Sequence, residues 1–262
     1  MPPGLSELEA AGMSDPISLD GRIALVTGAT RGIGRASALA LAGAGAHVIA
    51  VGRTQGALEE LDDEIVAIDG PRPTLVPLDL ADGDGIDTLG YEIFQRHKRL
   101  DIMVHAAAML GGLWPVAHID PKLWDKVVAT NLTSAYRLIR SMEPLLRQSD
   151  AGRALFLTTG QGVRKRAFWG AYAATKSALD TVVRCWADEI EHTPVRAVII
   201  DPGVMRTRMR AQAFPGEDAS TLTDPAEIGP MIVAYAAAAE LGLPDAAVTF
   251  REWQAARQTA SA

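Results

Sequence analysis

Apolar residues along the chain gather into short runs rich in Val, Ile and Leu, separated by longer stretches in which apolar positions recur every three or four residues. The runs Arg22–Thr27, Ala46–Val51, Thr74–Leu78, Ile102–His105, Ala154–Thr158, Arg196–Ile200 and Ala247–Phe250 predict strands. The stretches Ile33–Leu41, Gln55–Ala67, Gly85–Arg96, Lys122–Leu146, Ala171–Glu191 and Ala226–Ala239 predict helices. Strands that are nearly continuous in apolar residues and alternate with helices imply a parallel sheet covered on both faces, an α/β doubly wound fold. In the fifth helix Leu179, Val182, Val183, Trp186 and Ile190 mark a buried stripe. In the fourth, Trp124, Val127, Val128, Ala135, Leu138 and Met142 do the same, with the polar Asn131 among them. The segment Met205–Leu222 has no clean period and contains Pro215 and Gly216, so residues 205–222 are expected to form a mobile flap able to cover a substrate.

With 262 residues, 48% of them hydrophobic, the chain can build one large core, expected over residues 20–262. Residues 1–19 carry Pro, Gly, Ser and acidic residues without a basic start or an apolar centre, which predicts a disordered arm and no secretory signal. The net charge of -7 argues against nucleic-acid binding, which needs a surface surplus of Lys and Arg. A single cysteine, Cys185, excludes an intrachain disulfide and a Cys-based metal site, suits a reducing cytoplasm, and is expected to pack. No run of about 18 apolar residues free of charge is present, so no membrane span is expected.

Thr27-Gly28-Ala29-Thr30-Arg31-Gly32-Ile33-Gly34 directly follows the first predicted strand and leads into a helix. Glycines there let the backbone turn tightly against a pyrophosphate, while the amides and positive dipole end of the helix face the anion. Where an NAD site would place an Asp or Glu after the second strand, the chain has Gly52-Arg53. Arg53 and Arg31 offer guanidinium groups suited to a 2′-phosphate, so NADP(H) is preferred and NAD(H) stays open. Tyr172 and Lys176 stand four apart on one face of a predicted helix. A nearby ammonium favours phenolate, but a shift of about 3 units needs roughly 4 kcal/mol, so a further cation such as an oxidised nicotinamide has to contribute.

Together these segments resemble the short-chain dehydrogenase/reductase family: a TGxxxGIG turn, a Tyr-x-x-x-Lys pair, Thr159 thirteen residues before that tyrosine, Asn131 in a W-x6-N pattern with Trp124, and Pro202-Gly203-Val204-Met205-Arg206-Thr207 after the sixth strand. The resemblance implies a seven-stranded Rossmann-type sheet in the order 3-2-1-4-5-6-7. It also implies hydride transfer between a nicotinamide and a carbonyl or alcohol substrate. Tyr172 would be the general acid/base, Lys176 its support, Thr159 the hydroxyl on the substrate oxygen, and Asn131 the holder of a water in a proton relay. The cofactor would meet Gly28, Thr30, Arg31, Gly32, Ile33, Gly34, Arg53, Asp79, Leu80, Ala106, Ala107, Tyr172, Lys176, Pro202, Gly203, Val204 and Thr207, with no metal.

Three departures stand out. Threonine replaces the usual serine at 159, His105-Ala106-Ala107-Ala108 replaces Asn-Asn-Ala-Gly, and the tail lacks a V-D-G-G ending. His105 is expected to be a satisfied core residue. A homodimer is favoured over a homotetramer. The first two departures also motivate a second reading, a dinucleotide-binding regulatory or scaffold protein with little turnover. A sugar-nucleotide epimerase with the same Tyr-Lys pair is discounted, because the chain after Thr207 is too short for a substrate domain. The substrate pocket is expected between Gln161–Gly170 and the flap, with Phe168 and Trp169 as an apolar wall and Arg164, Lys165 and Arg166 able to draw in an anion.

Overall fold

The computed structural model describes residues 17–160, 166–238 and 247–260. Seven parallel strands, β1 (Ile23–Thr27), β2 (His47–Gly52), β3 (Thr74–Pro77), β4 (Ile102–His105), β5 (Arg153–Leu157), β6 (Arg196–Asp201) and β7 (Val248–Thr249), lie in the order β3-β2-β1-β4-β5-β6-β7. The expected fold is therefore the observed one. Alternate residues of each strand feed two cores. Val26, Ala50, Val104 and Leu155 pack beneath α1 (Gly32–Gly43), α2 (Gln55–Ala67) and α8 (Gly229–Ala237). Leu25, Ile49, Met103 and Phe156 pack beneath α3 (Gly83–His97), α5 (Ser134–Leu146) and α6 (Gly170–Glu189).

The fourth predicted helix is not continuous. It runs as α4 (Pro121–Val128), a π turn at Ala129–Thr133 centred on Asn131, then α5. The extra residue of a π turn rotates the helix before it by about 100° relative to the helix after it. Trp124, expected on the buried stripe, is accordingly exposed, whereas Leu138 and Met142 are fully buried. Cys185 is likewise exposed rather than packed.

Two more elements depart from the sequence pattern. The flap contains a six-residue helix, α7 (Arg208–Ala213), started by Thr207, whose hydroxyl accepts the Arg210 N–H at 3.1 Å. At the end of the described chain β7 passes into α9 (Phe250–Ala260), where Phe250 and Trp253 stack and are buried. At the other end, Leu19 belongs to the core and its N–H donates to the Ala44 carbonyl, so the arm expected over residues 1–19 gives way to packed chain before residue 20. Residues 1–16 of that arm, and Ala239, the expected last residue of a helix, lie outside the described residues. Among the described residues no helix is long and apolar enough to cross a membrane, and no cluster of His, Cys, Asp and Glu could hold a metal ion.

Candidate active site

The order of the sheet places its switch point between β1 and β4, where Thr27 lies beside His105. Helices leave these two strands toward opposite faces, which opens a crevice at their C-terminal ends. Gly28 stands in that crevice with φ +67°, and a Cβ there would come within 2.9 Å of the Ala107 Cα. A Cβ on Gly34 would lie 2.2 Å from the Gly28 carbonyl oxygen, so only glycine lets α1 start against the turn. Gly32 faces the Thr207 methyl group, and Gly52 leaves room for that of Thr30. The turn, the Ala106-Ala107 segment and the Pro202–Thr207 segment thus meet around one cleft. At the mouth of α1, Arg31 occupies the N-cap without a side-chain cap hydrogen bond, and the first turn has no acidic residue. Uncapped amides and a positive dipole end fit an anionic pyrophosphate.

Arg31 and Arg53 are exposed at the rim. Arg53 lies 3.8 Å from Asp79, an exposed pair of little intrinsic worth that leaves the guanidinium able to turn to another anion. Leu80 is a core residue on the α3 side, so a cofactor there could meet only its main chain. Ile33 and Ala106 are partly buried in the α1-side core, and Val204 is exposed beyond Pro202 and Gly203.

Tyr172 and Lys176 are both buried on α6. The Lys176 Nζ donates to the Leu157 carbonyl at 2.6 Å, which ties the pair to the last residue of β5, two positions before Thr159. Burial pulls Lys176 down to about 8, with the Asp180 carboxylate pulling in the opposite direction. The Tyr172 phenol is held well above its ordinary value, first by burial and then by the Asp201 carboxylate. In the protein alone, burial thus favours the neutral phenol over the phenolate.

Asn131 is fully buried in the π turn. Its Nδ2 donates to the Met109 carbonyl (2.9 Å) and to Thr175 Oγ1 (3.1 Å), and its Oδ1 accepts the Met109 N–H (2.8 Å). Thr175 donates in turn to a carbonyl of the α6 start, Ala171 at 3.0 Å or Tyr172 at 2.9 Å. Both donor hydrogens of the amide are engaged by protein, so its part in any relay of water is not played through Nδ2. His105 is buried as expected, with Nδ1 3.0 Å from Thr27 Oγ1, but its Nε2 finds no partner among the described residues. Burial, and then the charge of Lys176, pushes this imidazole down to about 3.

On the far side of Tyr172, Leu110, Trp169 and Ala213 form a small apolar cluster with Leu113, Met209 and Phe214 packed against it. Trp169 stands edge-on to Tyr172 with ring centroids 6.0 Å apart and lies 6.0 Å from Phe214. The guanidinium groups of Arg210 and Arg166 lie over the Phe214 ring at 3.7 and 5.1 Å. Phe168 is exposed with φ +73° and does not join this wall. Gln161–Lys165, including Arg164 and Lys165, lie outside the described residues. Sequence reasoning missed Phe214, which sits in a segment without periodicity. It also missed Thr158 and Asp180, joined at 2.5 Å, although Asp180 repeats the Tyr172–Lys176 spacing one turn further along α6.

Comparison with known proteins agrees with this architecture. The family model for short chain dehydrogenase matches residues 22–218. The chain belongs to the short-chain dehydrogenase/reductase family. It is 39% identical over 215 residues to the uncharacterized oxidoreductase YciK of Escherichia coli K12, covering 81% of this chain and 85% of that protein. A chloroplastic NADPH-dependent aldehyde reductase-like protein of Arabidopsis thaliana is 30% identical over 206 residues, 74% of this chain and 76% of its own length. Among solved structures, a short-chain dehydrogenase from Shigella flexneri complexed with NADP superposes with a TM-score of 0.83 at 35% identity, over 90% of this chain and 98% of that one. One from Escherichia coli CFT073 complexed with NADPH does so with a TM-score of 0.81 at 37% identity, over 85% and 93%. This short-chain dehydrogenase/reductase is therefore an oxidoreductase of the class that acts on CH-OH or C=O groups with NAD(P).

Proposed function

We propose that the enzyme is an NADP(H)-dependent carbonyl reductase or alcohol dehydrogenase in which Tyr172 exchanges the proton with the substrate oxygen. The observation that carries this reading is the burial of Tyr172 and Lys176 together on α6, bonded through Leu157 to the strand end that leads to Thr159. When bound, the nicotinamide supplies or accepts the hydride. In reduction the neutral phenol gives its proton to the carbonyl oxygen, and the Lys176 ammonium supports the phenolate left behind. Thr159 directs its hydroxyl at the same oxygen as negative charge builds on it. Asn131 holds the Met109 loop and, through Thr175, the turn bearing Tyr172. It is a positioning residue here.

Gly28, Thr30, Gly32, Ile33 and Gly34 would hold the pyrophosphate, with Thr207 closing the far side, and Arg31 and Arg53 would take the 2′-phosphate. Two observations favour NADP(H): Arg53 stands where a carboxylate would repel that phosphate, and the similar enzymes from Shigella flexneri and Escherichia coli were solved with NADP and NADPH. The Trp169–Phe214 wall favours a substrate with an apolar body attached to its carbonyl.

The test follows NADPH and NADH consumption side by side with a panel of aldehydes and ketones. NADPH should be consumed faster, and apolar carbonyls should be preferred. Tight NADPH binding with no oxidation across the panel would overturn the enzymatic reading in favour of a regulatory or scaffold protein. A preference for NADH would overturn the roles of Arg31 and Arg53.

A further inference from the structure

The last residue of β5 and the one after it are each held from α6. Leu157 accepts the Lys176 ammonium through its carbonyl at 2.6 Å, and Thr158 donates its hydroxyl to Asp180 Oδ1 at 2.5 Å. Lys176 and Asp180 are four residues apart, so they leave one face of the helix, in line with Tyr172 a further turn back. Lys176 is fully buried and Asp180 is half-buried. A buried ammonium with a carbonyl as its one hydrogen-bond acceptor among the described residues needs an anion nearby to remain charged.

We propose that Asp180 is a positioning residue for the Tyr172–Lys176 pair: tied to Thr158, its carboxylate locks the end of β5 against α6 and supplies the negative charge that keeps Lys176 an ammonium. The inference rests on the roles proposed above for Tyr172 and Lys176.

Asp180 is the group whose charge raises Lys176 against burial. From β4, His105 is neutral, held down to about 3, and contributes no anion. From β6, Asp201 acts on Tyr172 and on Asp180. Arg184, the next turn along α6, favours the ionised form of Asp180, as do Lys176 and the Thr158 hydroxyl, all of them opposing its burial. Burial, with Asp201 adding to it, holds the Asp180 carboxyl above its ordinary value, and the Thr158 hydroxyl, Lys176 and Arg184 limit that rise. The coupling also carries geometry to Thr159, because the residue before it is fixed by the same carboxylate.

The test is the pH profile of kcat/KM for carbonyl reduction with NADPH. With Asp180→Asn the amide oxygen can still accept from Thr158, but the charge is gone. Lys176 should then lose its proton at lower pH, moving the basic limb of the profile down by about one unit. Asp180→Ser removes the charge by a different route, and the limb should move the same way in whichever variant folds. Thr158→Val keeps the charge and removes the tie; kcat should fall several-fold while the limb stays at its wild-type pH. A basic limb in Asp180→Asn or Asp180→Ser that superimposes on wild type would overturn the proposal, as would an equal loss of kcat in all three variants with no displacement of the limb. Tyr172→Phe, run alongside, separates this from failure of the underlying reading: full activity in that variant removes the proposed mechanism whatever Asp180 does.

Discussion

Asn131 grips Met109 by both main-chain groups, accepting its N–H at 2.8 Å and donating to its carbonyl at 2.9 Å, from the middle of a π turn. A regular α-helix through these residues would change the direction of that amide, so the irregular turn and the clasp are one feature. The third hydrogen bond, to Thr175, makes the clasp continuous with the start of α6.

Asn131→Ala should therefore destabilise the protein by about 2–4 kcal/mol, since it takes the partner from three polar groups on two residues, Met109 and Thr175. Urea denaturation measures this directly. The KM for NADPH should change less than kcat, because the clasp lies behind Tyr172 and away from the glycine turn. A loss confined to cofactor affinity would contradict that placement.

The contact between Gly34 and the Gly28 carbonyl predicts that Gly34→Ala cannot be absorbed by a side-chain movement, because both partners are backbone. Opening the turn should weaken NADPH binding by about tenfold or more, equivalent to roughly 1.4 kcal/mol, as read by fluorescence titration. Gly56→Ala, where a Cβ would meet nothing within 4 Å, is the matched control and should leave binding unchanged.

The parallel sheet covered on both faces, the glycine turn and the Tyr-Lys pair were legible in the sequence because each rests on a short-range pattern: apolar runs, glycines beside a helix start, an i,i+4 spacing; the strand order came only with the family resemblance. The π turn was not, since it preserves helical composition and merely shifts the phase, which moved Trp124 to the surface. The flap helix depends on Thr207 capping six residues without an apolar stripe, and α9 on tertiary packing of Phe250 and Trp253. The neutral state of Tyr172 was hidden for another reason. Burial is a property of the assembled site, and so is the approach of the Asp201 carboxylate that adds to it; neither is visible in an i,i+4 spacing.

His105 predicts an acid-sensitive fold. Its folded value, about 3, lies below the 6.5 of an exposed imidazole, so between those values the unfolded chain binds a proton that the folded one refuses. Stability is then intact above about pH 6.5 and falls as the pH drops toward 3, by about 2 kcal/mol between pH 7 and pH 5. His105→Asn removes the titrating group and should flatten this part of the curve. Equal slopes for the two proteins in urea denaturation at pH 7 and pH 5 would contradict a buried neutral His105.

Arg53→Glu should reduce NADPH affinity by about 10- to 100-fold, the range of one or two charge-assisted hydrogen bonds to a phosphate, and leave NADH binding equal or improved. Comparing the two dissociation constants in wild type and variant checks it. The Asp79 carboxylate, 3.8 Å from Arg53, adds to the local negative charge once the arginine is gone.

The most direct measurement compares Tyr172→Phe with wild type, reading NADPH binding by fluorescence and turnover under single-turnover conditions. Removing only the phenolic oxygen should leave NADPH affinity within a few-fold of wild type and cut the rate of hydride transfer by about 10²–10⁴. Undiminished turnover by the phenylalanine variant would show that the proton comes from elsewhere, and the assignment of this site would fall.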